Sequence, residues 1–254
     1  MNFPEKSPAI IRLLGMDFAD FHPAQAASWL SLRPSGAPFG YVVTPNADHL
    51  VRVRRQPELI PLYGRALLRL LDSRVVSRAA RGLGLPAPSV TPGSDLTGLI
   101  LRCHLEPGEK ITVIGVHPDH LPALIRRSTL APPAHYNPPV GFEDDPSALR
   151  AAVDFVVANP ARFIFLAVGS PRQEILAAAI QATGKATGTG LCIGASLDFL
   201  SGAAERAPIW MQHAGLEWLH RLAGNPGRLA RRYLCDSPAI LPLLLAERWG
   251  YAKG

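Results

Sequence analysis

Four short apolar runs punctuate the chain: Tyr41-Val42-Val43, Ile111-Thr112-Val113-Ile114, residues 163–168, and Leu191-Cys192-Ile193. Each meets a Gly or Pro within two residues of its end. Between and after them lie stretches with helical spacing of apolar positions, at 47–63, 73–83, 147–158 and 173–183. Short apolar runs that end in such turns and alternate with helices predict buried parallel strands, whose C-terminal ends open into loops where open α/β sheets bind ligands. The Pro-rich segment 131–139 reads as a surface loop. From about Ala203 the alternation stops, and a Trp- and Arg-rich, mostly helical tail follows, interrupted by Pro208, Pro226, Pro238 and Pro242. The pattern therefore divides the chain into an α/β domain at 1–203 and a helical appendage at 204–254. No repeat of solenoid length occurs.

Composition narrows the class. Of 254 residues, 48% are apolar and 18% charged, which excludes a disordered or solvating chain and supplies a sizeable core. No uninterrupted apolar stretch is long enough to span a bilayer, and the first ten residues carry Glu5, Lys6 and two prolines in place of a signal-peptide core, so the expectation is a cytoplasmic protein. Cys103, Cys192 and Cys235 are widely spaced and odd in number, which fits neither a disulfide framework nor a CxxC metal site. The net charge of +6 is concentrated at the C-terminal end, where Arg206, Arg221, Arg228, Arg231, Arg232, Arg248 and Lys253 face only Glu217, Asp236 and Glu247. Such a basic end suits an anionic membrane surface, a phosphorylated substrate or a nucleic acid.

Several residues could carry chemistry. Gly169-Ser170-Pro171-Arg172-Gln173-Glu174 follows an apolar run and opens a helical pattern, a place where free amides and the helix dipole attract phosphate, although ordinary strand-to-helix turns look alike. Neither GxxxxGK[ST] nor a full GxGxxG is present. Asp72 directly follows an apolar run and precedes a helix, so it is either an N-cap or a general base at the sheet edge. Asp95 poses the same choice, with capping the simpler role. Thr44-Pro45-Asn46 offers a hydroxyl and an amide at a strand end, to orient a sugar or to form a turn. His213 and His220, seven apart, fall on one helical face, but without HExxH, HxH or DxD no metal is expected. Arg221, Arg228 and Arg231 fall near one face of a continuing helix in the company of Trp210, Trp218, Tyr233 and Trp249. This set fits a solvated basic face, a small helical subdomain or a surface that lies on a bilayer.

The blocks Thr44-Pro45-Asn46, Leu71-Asp72, Gly93-Ser94-Asp95-Leu96 and Gly169-Ser170-Pro171-Arg172-Gln173-Glu174 are followed in order by four more. These are the run from Gly194-Ala195-Ser196-Leu197-Asp198 to Gly202, Arg206-Ala207-Pro208, Leu216-Glu217-Trp218-Leu219-His220-Arg221, and Pro226-Gly227-Arg228-Leu229-Ala230-Arg231-Arg232-Tyr233. Together they resemble the WecG/TagA/CpsF glycosyltransferase family over roughly residues 40 to 234.

The resemblance implies a Rossmann-like parallel sheet flanked by helices with a C-terminal helical appendage. It also implies inverting transfer from a UDP-sugar donor, without a metal or cofactor, to a lipid-diphosphate-linked sugar acceptor at the inner face of the cell membrane. Asp72 falls on the family's proposed base; Thr44, Asn46 and Gln173 fall near the transferred sugar. Ser94, Asp95, Gly169, Ser170 and Asp198 fall among the substrate-binding blocks, and Arg221, Arg228 and Arg231 match arginines facing the acceptor diphosphate or the membrane. Many members read Asp-Gly where this chain has Asp72-Ser73, and carry Arg where it has Val90-Thr91-Pro92, which places the choice of sugar near Ser73 and Val90. Two competing readings are a basic module that binds RNA or DNA through the tail and an inactive scaffold that assists another transferase. Since the anion-binding turn and Asp72 lie outside the tail, the sequence favours the enzyme with no nucleic acid partner. Whether the chain forms a homo-oligomer is not written in one sequence.

Overall fold

The structure is a computed structural model that describes residues 7–128, 131–203, 205–231 and 237–250, excepting the side chains of Arg127, Ser128, His213, Arg228 and Arg231. Its centre is a six-stranded sheet, parallel throughout, formed by β3 (Gly40–Val43), β4 (Leu68–Arg69), β5 (Thr112–Gly115), β6 (Ala134–Tyr136), β7 (Phe163–Ala167) and β8 (Thr189–Cys192). The spatial order is β4-β3-β8-β7-β5-β6. The four apolar runs became the four inner strands. The expected loop at 131–139 instead contains β6, whose side chains are only half-buried because it pairs on one side alone, at the sheet's edge.

Alternation along each strand feeds two cores, since successive side chains point to opposite faces. Tyr41, Val43, Ile164, Leu166 and Cys192 pack beneath α3 (Ile60–Gly64), α7 (Pro146–Ala158) and α8 (Arg172–Ala182). Val42, Val113, Phe163, Phe165 and Leu191 pack beneath α1 (Pro23–Ser31), α5 (Gly93–Cys103), α6 (Leu121–Ser128) and α9 (Ser196–Ser201). Helix α2 (Ala47–Arg55), which follows β3, leaves to the first face through Val53, whereas α9, which follows the adjacent β8, leaves to the second through Leu197. The crevice between two such strands, at their C-terminal ends, is where open α/β sheets take ligands.

The expected helix 47–63 is broken. Pro57 lacks the N–H that a continuing helix needs, so α2 stops at Arg55, a 3-10 turn covers Pro57–Leu59, and α3 starts afresh. Ser73 caps α4 (Arg74–Gly82), its hydroxyl accepting the Val76 amide at 3.2 Å.

The tail comprises α10 (Ile209–Ala214), α11 (Glu217–Gly224), α12 (Pro226–Arg231) and α13 (Ile240–Arg248). Gly215 takes φ 76° between α10 and α11, so His213 and His220 stand on different helices and share no face. Asn225 likewise separates α11 from α12, which begins at Pro226, so Arg221 is not on one helix with Arg228 and Arg231. Helix α13 returns to the body of the protein. Ile240 and Leu244 are buried in a third core with Val51 of α2, Val76 and Ala80 of α4, and Leu13 and Phe18 of an antiparallel hairpin, β1 (Ile10–Leu13) and β2 (Met16–Ala19). Glu247 fastens this packing by accepting the Leu14 amide of the hairpin turn at 2.7 Å.

Candidate active site

Two cavities open over the C-terminal ends of the central strands and the first helices of the tail. The larger, about 900 Å³, has polar walls that include Thr44, His49, Ser94, Gly169, Ser170, Gln173, Asp198 and His220. The smaller, about 450 Å³, is mostly apolar, with Val75, Trp218, Pro238, Ile240 and Leu241 among its walls. Asn46, Asp72 and Arg221 line both.

Asp72 comes directly after Leu71, which bridges to Val90 beside the edge strand β4. With Ser73 capping α4, the Asp72 carboxyl is released from the capping role. It turns instead to the Gly93 amide, the first residue of α5, which donates to Oδ2 at 3.2 Å. Burial pushes its pKa up to about 6 from an ordinary 3.8; Glu217 and Asp95 add to the rise, while the Arg221 guanidinium and the Gly93 amide oppose it. A carboxylate poised there is ionised at neutral pH yet basic enough to take a proton, as a general base requires.

Arg221 donates to Glu217 Oε1 at 2.8 Å and lies 4.9 Å above the Phe199 ring, so a charge and an aromatic face both help to position it. Asn46 caps α2 by accepting the His49 amide at 3.3 Å, and so combines the turn-forming and cavity-lining roles. Thr44 is buried, and its Oγ1 lies so close to Gly93 that a Cβ there would stand 2.8 Å away. Gly93 must therefore be glycine for Asp72, Gly93 and Thr44 to pack as they do.

Gly169, at φ 80°, turns the chain out of β7, and Ser170 receives a hydrogen bond from Arg52 at 3.3 Å. Of the amides in this turn, the Gln173 backbone N–H is engaged by the Gly169 carbonyl at 2.9 Å and is not free to meet a phosphate. Gln173 is nearly enclosed, its side-chain Oε1 accepting the Gly194 amide at 2.9 Å and its Nε2 donating to Glu174 at 2.9 Å. Asp198 pairs with His120 at 3.3 Å.

Thr44, Asn46, Asp72, Ser94, Gly169, Ser170, Gln173, Asp198 and Arg221 thus meet around the cavities. Asp95 does not line either one; it occupies the first turn of α5 and pairs with Arg206 at 2.6 Å, joining that helix to the start of the tail. The side chains of Arg228 and Arg231 lie outside the described residues. Ser73, near which the choice of sugar was expected, lines the apolar cavity, and Val90 packs into the third core; neither borders the polar cavity. Sequence reasoning missed Phe199, which seats Arg221, and Glu217, whose charge acts on Asp72. The Glu217-to-Arg221 spacing of one helical turn was the available signal for the latter.

Compared with known families, residues 11–254 match the model of the glycosyl transferase WecG/TagA/CpsF family.

Proposed function

Because this chain belongs to the WecG/TagA/CpsF glycosyl transferase family, we propose that it moves a sugar from a UDP-sugar in the polar cavity to an acceptor that reaches Asp72 through the apolar one. The acceptor is a saccharide linked through diphosphate to a lipid, and the product belongs to a cell-envelope polysaccharide. One observation carries this reading: Asp72 and Arg221 line both cavities, so a base and a cation stand where donor and acceptor would meet.

In the transfer, Asp72 takes the proton of an acceptor hydroxyl as that oxygen bonds to the donor's anomeric carbon. The bond from this carbon to the UDP oxygen breaks on the opposite face, its electron pair leaves with UDP, and the configuration inverts. Thr44, Asn46 and Gln173 surround the sugar. The sequence has no Asp-x-Asp pair to hold a metal on the diphosphate, so the leaving charge falls to arginine and to amides at the turn after β7. Activity that persists in excess EDTA supports this; its loss and recovery with a divalent cation would replace it.

The tail supports work at a membrane surface. Ile209, Trp210, Leu219, Leu241 and Trp249 expose much of their apolar surface beside a basic sequence, and such amphipathic, cationic faces bind anionic lipid. Among the described residues no helix is long and apolar enough to cross a membrane. Cosedimentation with anionic vesicles, weakened in an Arg228 and Arg231 double alanine variant that still binds UDP, is the expected result.

The deciding experiment is Asp72→Asn assayed for UDP release with a panel of UDP-sugars and a lipid-diphosphate-linked acceptor. Transfer falls by about two to four orders of magnitude while the protein stays folded and binds UDP. Full activity in a folded Asp72→Asn protein removes the assignment of the base.

A further inference from the structure

Glu174 takes no part in the transfer step above, yet it is the least exposed carboxylate among the described residues, at 1%. Burying a carboxyl is unfavourable unless its hydrogen-bonding groups find partners. Glu174 has no ion pair among the described residues. Arg52, whose charge acts on it, is paired with Asp48 at 2.6 Å. Burial raises the Glu174 pKa, with Gln173, Ser170 and Arg52 offsetting part of the rise. Oε1 accepts from Gln173 Nε2 at 2.9 Å, whereas Oε2 meets no donor at hydrogen-bond geometry among the described residues. A side chain this enclosed, in the first turn of α8 directly behind the cavity wall, requires a reason beyond packing.

The reason lies in the neighbouring amide. A glutamine side chain presents an oxygen at one side and an NH2 at the other, and its orientation is set by what faces each. At Gln173 one side faces the Gly194 backbone N–H, which can only donate, so the oxygen must be there. The NH2 then faces residue 174, which must accept. Leucine there would leave the NH2 without its partner and free the amide to swing or flip. Gly194 follows β8 with φ 53°, and with Ala195 and Ser196 it forms the turn into α9 that walls the polar cavity. Gln173 is also pinned along its backbone, its carbonyl receiving the Cys192 thiol at 3.7 Å.

We propose that Glu174 is a positioning residue for the donor site: by accepting from Gln173 Nε2 it fixes that amide in one orientation, and Gln173 Oε1 in turn holds the Gly194 amide and the turn between β8 and α9. The consequence for the donor rests on the reading that the polar cavity binds the UDP-sugar; the effect on Gly194 does not.

The full chain is compared with Glu174→Leu, Glu174→Gln and Gln173→Met, by amide hydrogen exchange at Gly194 and by steady-state kinetics with UDP-sugar and acceptor varied separately. Glu174→Leu raises exchange at Gly194 about tenfold, the worth of one lost hydrogen bond, with β3 amides unchanged. It also raises the donor KM about tenfold, leaving the acceptor KM alone. Glu174→Gln, which keeps an acceptor oxygen at the same place, stays within about twofold of the parent on both readouts. Gln173→Met reproduces the Gly194 effect, and it decides the matter if Glu174→Leu fails to fold. Unchanged Gly194 protection in Gln173→Met or in folded Glu174→Leu overturns the proposal, as does a lower melting temperature with neither Gly194 exchange nor donor KM altered. Loss of Gly194 protection in a protein that never binds UDP would uphold the positioning role and discard the donor reading.

Discussion

The Gly93 amide donates to Asp72 Oδ2 at 3.2 Å, so the first residue of α5 holds the carboxyl that precedes α4, across 21 positions of sequence. Two opposing influences meet in that contact. The amide at a helix N-terminus favours the ionised form, and burial disfavours it; burial prevails, leaving a pKa of about 6. For a base that must be ionised to work, kcat/KM then rises with pH, reaches half its plateau near pH 6 and is level above about pH 7. Arg221 lowers this pKa and Glu217 raises it. The acid limb of the pH profile therefore moves to higher pH in Arg221→Ala and to lower pH in Glu217→Gln. Limbs that coincide in all three proteins would mean that a different group titrates.

The same shift bears on stability, in the opposite sense from most carboxylates. The folded-state pKa exceeds the ordinary 3.8, so the contribution of Asp72 to folding is fully present below pH 3.8 and is lost as pH rises through 6. At neutral pH the ionised carboxylate weighs against the fold by on the order of 1–2 kcal/mol, after allowance for the solvent that still reaches this partly buried residue. Asp72→Asn is expected to melt a few degrees above the parent at pH 8. The gap closes by about pH 4, where both side chains are neutral. Equal melting temperatures across this range would place the pKa at its ordinary value.

Gly93 is constrained by Thr44 as well as by Asp72. A Cβ at Gly93 would lie 2.8 Å from Thr44 Oγ1, and Thr44 is buried on the strand end beside it. Gly93→Ala is expected to destabilise the protein by about 1–3 kcal/mol and to lower transfer activity, because the clash displaces either the Asp72 contact or the Thr44 wall. Adding Thr44→Ala removes the obstructing oxygen and recovers most of the stability, a non-additivity that denaturant unfolding of the two single variants and the double variant measures. Activity does not return with it if Thr44 touches the sugar.

The inner strands were legible because each carries a short, mostly apolar run covered on both faces. Edge strands β4, of two residues, and β6, with Ala134, His135 and Tyr136, pair on one side and carry no such run. The hairpin turn is Leu14-Gly15, both at positive φ, where an Asn-Gly or Asp-Gly would have announced it. At the site, Asp72, Thr44, Asn46 and Gln173 could be picked out one by one from strand ends. What each one touches was not legible, since Gly93 with Asp72, Gly194 with Gln173 and Phe199 with Arg221 are contacts between residues about 20 positions apart, set by tertiary packing. Alternation places the end of the α/β pattern near Ala203, but a helix that comes back to the core leaves no mark in such a pattern.

That returning helix makes the last prediction. Leu244 is fully enclosed by residues of the hairpin, α2 and α4, and Ile240 is nearly so. If α13 were only an appendage, shortening Leu244 would trim a loosely held helix and leave the unfolding of the body unchanged. In this packing Leu244→Ala instead opens a void between α13, α2 and α4, and is expected to lower the unfolding free energy of the whole protein by about 2–5 kcal/mol, read as a shifted midpoint in urea with an unchanged slope. Glu247→Ala, which leaves the Leu14 amide without its partner, is expected to lower it by about 1–2 kcal/mol. Because α2 begins directly after the capping residue Asn46 and α4 begins two residues after Asp72, loosening α13 disturbs two of the chain segments that present the site. Leu244→Ala should accordingly lose transfer activity at temperatures where the parent is fully folded, although Leu244 itself lines neither cavity. A Leu244→Ala protein with parental unfolding midpoint and activity would show that α13 is dispensable to the body, and that the third core closes without it.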